Sequence, residues 1–257
     1  MSILCYHSVD PSWGSHLAMT PEGFERHCRW LSRARTVLPV DECTAAWTET
    51  GRMPQASVSL TFDDGFVDLA QWAFPVLARY RLHATVFLVA ETLTAQGRAV
   101  DWVDDAPPWP LRTLTPEHVL AARADGIRFA SHSWAHRDLV QLSEGECIRD
   151  LRDSREFIED LLHEPVPLLA YPFGRHDPMV ERAARRAGYQ FAFALPDRCE
   201  VASRYAIPRV GIFRGDGAGT LRIKTADWWL PLRYSPVFPL LRKISGRGLA
   251  RSSQLAG

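Results

Sequence analysis

The sequence predicts an α/β protein whose strands run parallel, in a sheet either open or closed into a barrel. Short apolar, β-rich runs alternate with amphipathic stretches along most of the 257 residues, and strands separated by helices pair in parallel. Residue types suited to chemistry recur just after the strands, the end at which such folds carry their sites. The length suits one large domain. A chain of this size buries about 70–75% of the surface its unfolded form exposes, so it needs neither disulfide nor metal merely to fold.

The elements follow in order. Ile3–Tyr6 opens as a strand. Thr20 reads as an N-cap with Pro21 at the first helical position, and Phe24, His27, Cys28 and Leu31 continue at helical spacing. Val58–Phe62 is a strand; Phe66–Tyr80 reads as a helix with Pro75 as a kink. Thr85–Val89 is apolar at nearly every position, as a strand buried on both faces is. Residues 91–113, rich in Pro and carrying Trp102 and Trp109, interrupt the rhythm as a loop insertion, and long loops in compact domains are often functional. Thr115-Pro116 restarts a helix that ends near Gly126, and Ile127–Ala130 is a strand. Ser143 and Glu146 form a capping box at the head of a helix reaching Leu162. Leu168–Tyr171, a helix from Pro178 to Ala187 closed by Gly188, and Gln190–Ala194 complete the alternation.

Composition excludes several classes. The 30 Lys+Arg balance 30 Asp+Glu with 46% hydrophobic residues, which is neither a disordered chain nor a bulk nucleic-acid binder. No run approaches the ~20 apolar residues of a transmembrane helix, and the N-terminus lacks the pattern of a signal peptide. Five scattered Cys without a CxxC read as reduced thiols. The expected location is cytoplasmic.

The reactive residues cluster in four places. Ser57–Phe62 runs into Asp63-Asp64-Gly65; adjacent carboxylates after an apolar strand need an offset, commonly a cation, although an Asp N-cap at a strand-to-helix turn explains the same letters. Ile127–Ala130 runs into Ser131-His132-Ser133-Trp134-Ala135-His136. Imidazoles at i and i+4 share a face if the backbone takes a helical turn, a known metal-ligand spacing. One acid and two imidazoles leave a coordination position open and suit zinc or another borderline divalent ion. Ala170-Tyr171-Pro172-Phe173-Gly174 and Cys5-Tyr6-His7-Ser8 also sit at strand ends.

Together these residues resemble the polysaccharide deacetylase family, the NodB-homology or family-four carbohydrate esterases, over residues 3–213. Thr61-Phe62-Asp63-Asp64-Gly65 is similar to the family's first motif, Ser131–His136 to its second and Tyr171–Gly174 to its third. The resemblance implies a single distorted (β/α) barrel of about seven parallel strands over 1–219. It implies Asp63 as catalytic base, and Asp64, His132 and His136 as ligands of a divalent ion, zinc first, with cobalt, nickel or manganese as alternatives. It gives Phe173 an oxyanion-binding backbone N–H, and Tyr171, Pro172 and Trp134 substrate contacts. The implied reaction is removal of N-acetyl groups from an amino sugar in a glycan or its precursor. Two departures matter. The Arg that precedes the third motif in many members is Ala170 here, and Arg209 is the candidate substitute; the family's C-terminal catalytic His is missing, and Tyr6-His7 resembles a circularly permuted branch, which assigns the acid to His7. Trp102, Trp109 and Trp134 are candidates for stacking on sugar rings, or for packing.

Residues 220–257 carry seven Lys/Arg, one acid and interleaved aromatics. Such a tail either packs on the barrel or lies, through 225–243, on an anionic membrane at the inner face. The expected partner is an N-acetylated carbohydrate, with no nucleic acid and no obligate protein. A non-catalytic carbohydrate-binding relative and a deformylase or other amidohydrolase are the rival readings.

Overall fold

A computed structural model describes residues 1–50, 54–195, 203–233, 235 and 238. Its strands are β1 (Ser2–Tyr6), β2 (Ser8–Val9), β3 (Ala18–Met19), β4 (Thr36–Val37), β5 (Ser57–Phe62), β6 (Ala84–Leu88), β7 (Arg128–Ser131), β8 (Leu168–Ala170), β9 (Phe191–Ala194), β10 (Ile207–Pro208) and β11 (Val210–Gly211). Its α-helices are α1 (Pro21–Ala34), α2 (Val40–Thr50), α3 (Phe74–Tyr80), α4 (Pro116–Ala124), α5 (Glu144–Leu162), α6 (Pro178–Arg186), α7 (Ala218–Lys224) and α8 (Trp229–Arg233).

The main sheet runs β10-β9-β8-β7-β6-β5-β1-β11, with every pairing parallel. Its two ends are successive pieces of one run: Ile207–Pro208 pair with β9, and Val210–Gly211 pair with β1. That run closes the barrel, and Arg209 sits in the break between its halves. Taken as one strand it brings the ring to the expected seven; β4 lies outside, beside the start of β5, where β6 does not reach until Leu60.

All residues of β1, β5 and β6 are buried, as strands covered on both faces must be. Alternation assigns their side chains. Val86 and Leu88 join Leu4, Phe62, Phe24 and Leu77 in a core shared with α1 and α3, whereas Phe87 joins Ala130, Ala170, Phe193 and Ile207 from the neighbouring strands.

The caps form as read. Thr20 Oγ1 accepts from Gly23 N at 3.1 Å, and both halves of the Ser143–Glu146 capping box are present. Three stretches differ from expectation. The helix read from Phe66 starts only after Asp68, as a π-helical turn over Leu69–Ala73 that leads into α3; Pro75 has no N–H to continue an α-helical ladder there. Helix α2 has no counterpart in the sequence reading, because it buries only Val40, Cys43 and Thr44 and so lacks a wide apolar stripe. His132 and His136 do not share a helical face: the segment is an irregular loop in which Ser133 and His136 take left-handed φ of 69° and 51°.

Cys5, Cys28, Cys43 and Cys147 are buried and free, and no helix among the described residues is long and apolar enough to cross a membrane. A boundary at 219 falls inside α7. Leu221 and Trp229 belong to the barrel's core, and Lys224 reaches back to Asp216 at 2.6 Å and to the Gly211 carbonyl at 2.8 Å. Most of 234–257, and with it part of the 225–243 stretch considered for membrane contact, lies outside the described residues.

Candidate metal centre and active site

The loops that leave β1, β5, β7 and β8 meet over one end of the barrel. After β5 the chain turns sharply, with φ of 67° at Asp64 and 65° at Gly65. A side chain at Gly65 would be strained at that φ, and its Cβ would lie 2.8 Å from Leu88 Cδ2. The turn sends both carboxylates into the site, Asp63 2% and Asp64 3% exposed. Phe173, at φ 58°, and the adjacent Gly174, at φ 67°, carry left-handed backbone into the same mouth. Such conformations cluster where surrounding structure over-determines them, which is common at functional sites.

Asp64 Oδ1 lies 3.3 Å from His136 Nε2 and 3.7 Å from His132 Nε2. Ligand atoms at the corners of a tetrahedron with ~2.1 Å bonds are about 3.4 Å apart, so the spacing fits a zinc-like ion. The protonation states fit as well. His132 Nδ1 is 2.8 Å from the Ala170 carbonyl; a carbonyl only accepts, so Nδ1 carries the proton and Nε2 offers its lone pair. Burial lowers the pKa of His132 and, more strongly, of His136, which keeps both rings in the ligating form. Burial, and then the charge of Asp63, pushes Asp64 up to about 8, a cost that a cation between these three groups would relieve.

Asp63 is held differently. Arg209 donates from Nη1 to Oδ1 and from Nη2 to Oδ2, both at 2.7 Å, and again from Nη1 to Thr61 Oγ1 at 3.2 Å. The Cys5 thiol adds a contact of 3.3 Å to Oδ2. Burial pushes the Asp63 carboxyl up, but the Arg209 charge and hydrogen bonds outweigh it and hold the group well below the usual carboxylate range. Arg209 lies over the Phe87 ring at 5.3 Å and is wholly buried. The candidate substitute for the missing third-motif Arg thus reaches the first Asp from the strand that closes the barrel.

His7 follows β1 and lies beside Asp63: Cys5, His7 and Asp63 each present a polar atom, all within 4.8 Å of one another. Burial drives the His7 pKa down to about 4 against the pull of Asp63. His7, Asp63, Asp64, His132 and His136 line a cavity of about 730 Å³ whose wall includes Trp102 and Phe173.

Three expected substrate contacts lie elsewhere. The Tyr171 hydroxyl donates to the Tyr205 carbonyl at 2.9 Å, and its ring stacks on His176. Pro172 is buried beside it, and Trp134 packs edge-on against Phe157 at 5.7 Å. None of the three lines the cavity, because at these positions the alternation along β8 and the turn after β7 aim the side chains into the packing. Phe173 presents its exposed ring at the mouth instead.

Four residues support the site in ways the sequence does not show, Trp102 among them, which the sequence offers only for sugar stacking or packing. Trp102, from the 91–113 loop, donates to Asp64 Oδ1 at 3.0 Å. Asp150 on α5 accepts from Trp134 N at 2.8 Å and pairs with Arg137 at 3.2 Å, pinning the His132–His136 loop. Its signal was available: an acid at helical spacing among the apolar positions Cys147, Leu151 and Ile158. Asp68 accepts from Ser8 Oγ at 2.9 Å and Val9 N at 3.0 Å, fixing the backbone that follows His7. Cys5 is the fourth; a buried thiol leaves no pattern that separates it from core.

Comparison with known proteins gives the family and the fold. The polysaccharide deacetylase family model matches residues 50–192. The chain is 28% identical over 220 residues to the putative polysaccharide deacetylase YxkH of Bacillus subtilis, covering 84% of this chain and 72% of that one. It is 23% identical to the poly-beta-1,6-N-acetyl-D-glucosamine N-deacetylase of Staphylococcus epidermidis, over 75% of this chain and 67% of that one. Among solved structures, the fold is similar to the Streptococcus pyogenes deacetylase PplD in complex with acetate (TM-score 0.74, 22% identity, covering 88% and 98%) and to IcaB from Ammonifex degensii (TM-score 0.68, 21% identity, covering 89% and 95%). With more than half of its length matched by the family model and its motif residues gathered at one barrel mouth, the chain belongs to the polysaccharide deacetylase family.

Proposed function

We propose that the protein is a metal-dependent hydrolase that removes N-acetyl groups from an amino sugar in a glycan. The observation that carries this reading is the adjacency of two unlike carboxylates: Asp64 facing two neutral imidazoles, and Asp63 clamped by Arg209. Asp64, His132 and His136 would hold a divalent ion. When bound, the ion supplies Lewis acidity, polarising an acyl oxygen and making water acidic enough to yield hydroxide near neutral pH.

The chain's own groups do the rest. Asp63, ionised and fixed in place by Arg209, accepts the proton of the attacking water. The backbone at Phe173 offers an N–H to the developing oxyanion, a donor of a kind whose loss typically costs ~2.7–4 kcal/mol. His7 enters neutral and carries a proton to the departing amine, which is a poor leaving group until protonated. The proton reaches it from Asp63, within 4.8 Å, through an intervening water, and a low imidazole pKa makes its transfer to the more basic amine favourable. The catalytic barrel would run through α7 and α8, past the expected boundary at 219, because Leu221 and Trp229 pack in its core.

The test is acetate release from β-1,6- and β-1,4-linked N-acetylglucosamine oligomers, with metal supplied or chelated. Release that needs the ion, and that disappears in Asp63→Asn while bound metal persists, supports the proposal. Metal binding without turnover on any N-acylated sugar would favour a binding protein.

A further inference from the structure

We infer that Trp102, carried by the loop insertion at 91–113, is a positioning residue of the metal centre, fixing both Asp64 and His136. The inference rests on the metal-binding reading above and concerns two ligands that the barrel strands do not orient by themselves.

The two imidazoles are supported unequally. Nδ1 of His132 donates to the Ala170 carbonyl, which sets the plane of that ring. Nδ1 of His136 is buried and has no hydrogen-bond partner. Histidine ligands almost always use the second nitrogen to fix their orientation, so another device must hold His136. Its ring is flanked by aromatics. Trp102 stacks face to face at 4.6 Å with planes 19° apart, and the Phe173 ring stands against it at 4.7 Å and 73°. The same indole donates from Nε1 to Asp64 Oδ1, the oxygen that faces both Nε2 atoms. Indole N–H is a donor only. It can therefore hold the carboxylate oxygen through one lone pair without competing for an ion at the other.

The loop is anchored firmly enough to serve. At its base, Leu114 N donates to the Gly65 carbonyl at 2.7 Å and Val67 N to the Arg112 carbonyl at 2.9 Å. In its middle, Asp105 accepts from the Trp13 indole through its carbonyl at 2.9 Å and from Ser15 Oγ at 2.8 Å. Val100, Val103 and Leu111 pack on the buried Trp13 and Phe66. Trp102 is thus delivered by a strap tied to the turn after β5 and to the 10–18 segment, rather than by a mobile flap. The strap completes the metal centre from outside the barrel.

The experiment measures the zinc dissociation constant of metal-stripped protein by competition with a chelating indicator, together with the absorption spectrum of the cobalt form. Trp102→Phe keeps a stacking ring and loses the N–H donor; Trp102→Leu loses both. The expected result is a dissociation constant raised about 10-fold in the first and up to about 100-fold in the second, the range for losing a partner of a metal ligand, with an altered cobalt spectrum in both. Equal affinity in wild type and both variants overturns the inference and leaves the metal reading intact. A wild type that takes up no ion removes the metal reading itself. Circular dichroism checks folding; if Trp102→Leu does not fold, Trp102→Phe alone decides.

Discussion

Replacing Arg209 by Met removes a guanidinium and puts a flexible apolar chain in its place. Both ends of the Arg209–Asp63 pair are sealed from solvent, at 0% and 3% side-chain exposure, and they share two bonds of 2.7 Å. Breaking such a pair from one side strands the other charge, at about 3–5 kcal/mol. For a domain of this size that lowers the melting temperature by about 6–20 °C. The loss depends on pH with a definite sign. Arg209 holds the Asp63 carboxyl below its unfolded value of ~3.9. The pair's stabilisation is therefore fully present above that value and fades as pH falls through the folded pKa. In Arg209→Met burial is no longer offset, so the carboxyl rises and is protonated on folding. The gap between wild type and variant is widest near neutral pH and narrows toward pH 4. Thermal unfolding of both proteins across that range measures it. The variant combining Arg209→Met with Asp63→Asn, which has no stranded charge, should recover at least about 1 kcal/mol relative to Arg209→Met alone. A double variant no more stable than the single one, or a gap that does not change with pH, refutes the reasoning.

Other outcomes follow from the same geometry. Alanine at Asp64, His132 or His136 should abolish stoichiometric metal, measured by elemental analysis, together with activity; Asp63→Asn should retain metal and lose activity. Asp150→Ala leaves Trp134 N and Arg137 without their buried acceptor, so it should cost about 1–3 kcal/mol in denaturant unfolding and weaken metal binding by loosening the His132–His136 loop. His7→Ala should lower kcat far more than it raises KM in steady-state acetate release; equal kcat would remove His7 from proton transfer. Gly174→Ala should destabilise the protein, because its φ of 67° disfavours a side chain and a Cβ would press on the Leu195 backbone; an unchanged melting temperature would contradict this.

The fold was legible because parallel strands buried on both faces leave a plain mark: Ser57–Phe62 and Ala84–Leu88 are apolar or small throughout. The caps at Thr20 and Ser143 also read directly, since one side chain and a few backbone donors decide them locally. Helix α2 was hidden because packing, not periodicity, holds it. The His132–His136 pair does come together, but not through the helical turn that its spacing suggests. Convergence of the two imidazoles comes from left-handed backbone at Ser133 and His136, pinned by Asp150, and not from a shared helix face.

What the sequence by itself determined is the order of elements and the chemical identity of the strand-end residues, because hydrophobic period, caps and glycine turns act over a few residues. Tertiary structure alone decided which distant groups meet. Arg209 reaches Asp63 only because the strand halves on either side of it close the ring between β9 and β1. Trp102 reaches Asp64 only because its loop is strapped to the 10–18 segment. Contacts across 146 and 38 residues are fixed by barrel closure and loop anchoring, and neither leaves a periodic trace along the chain.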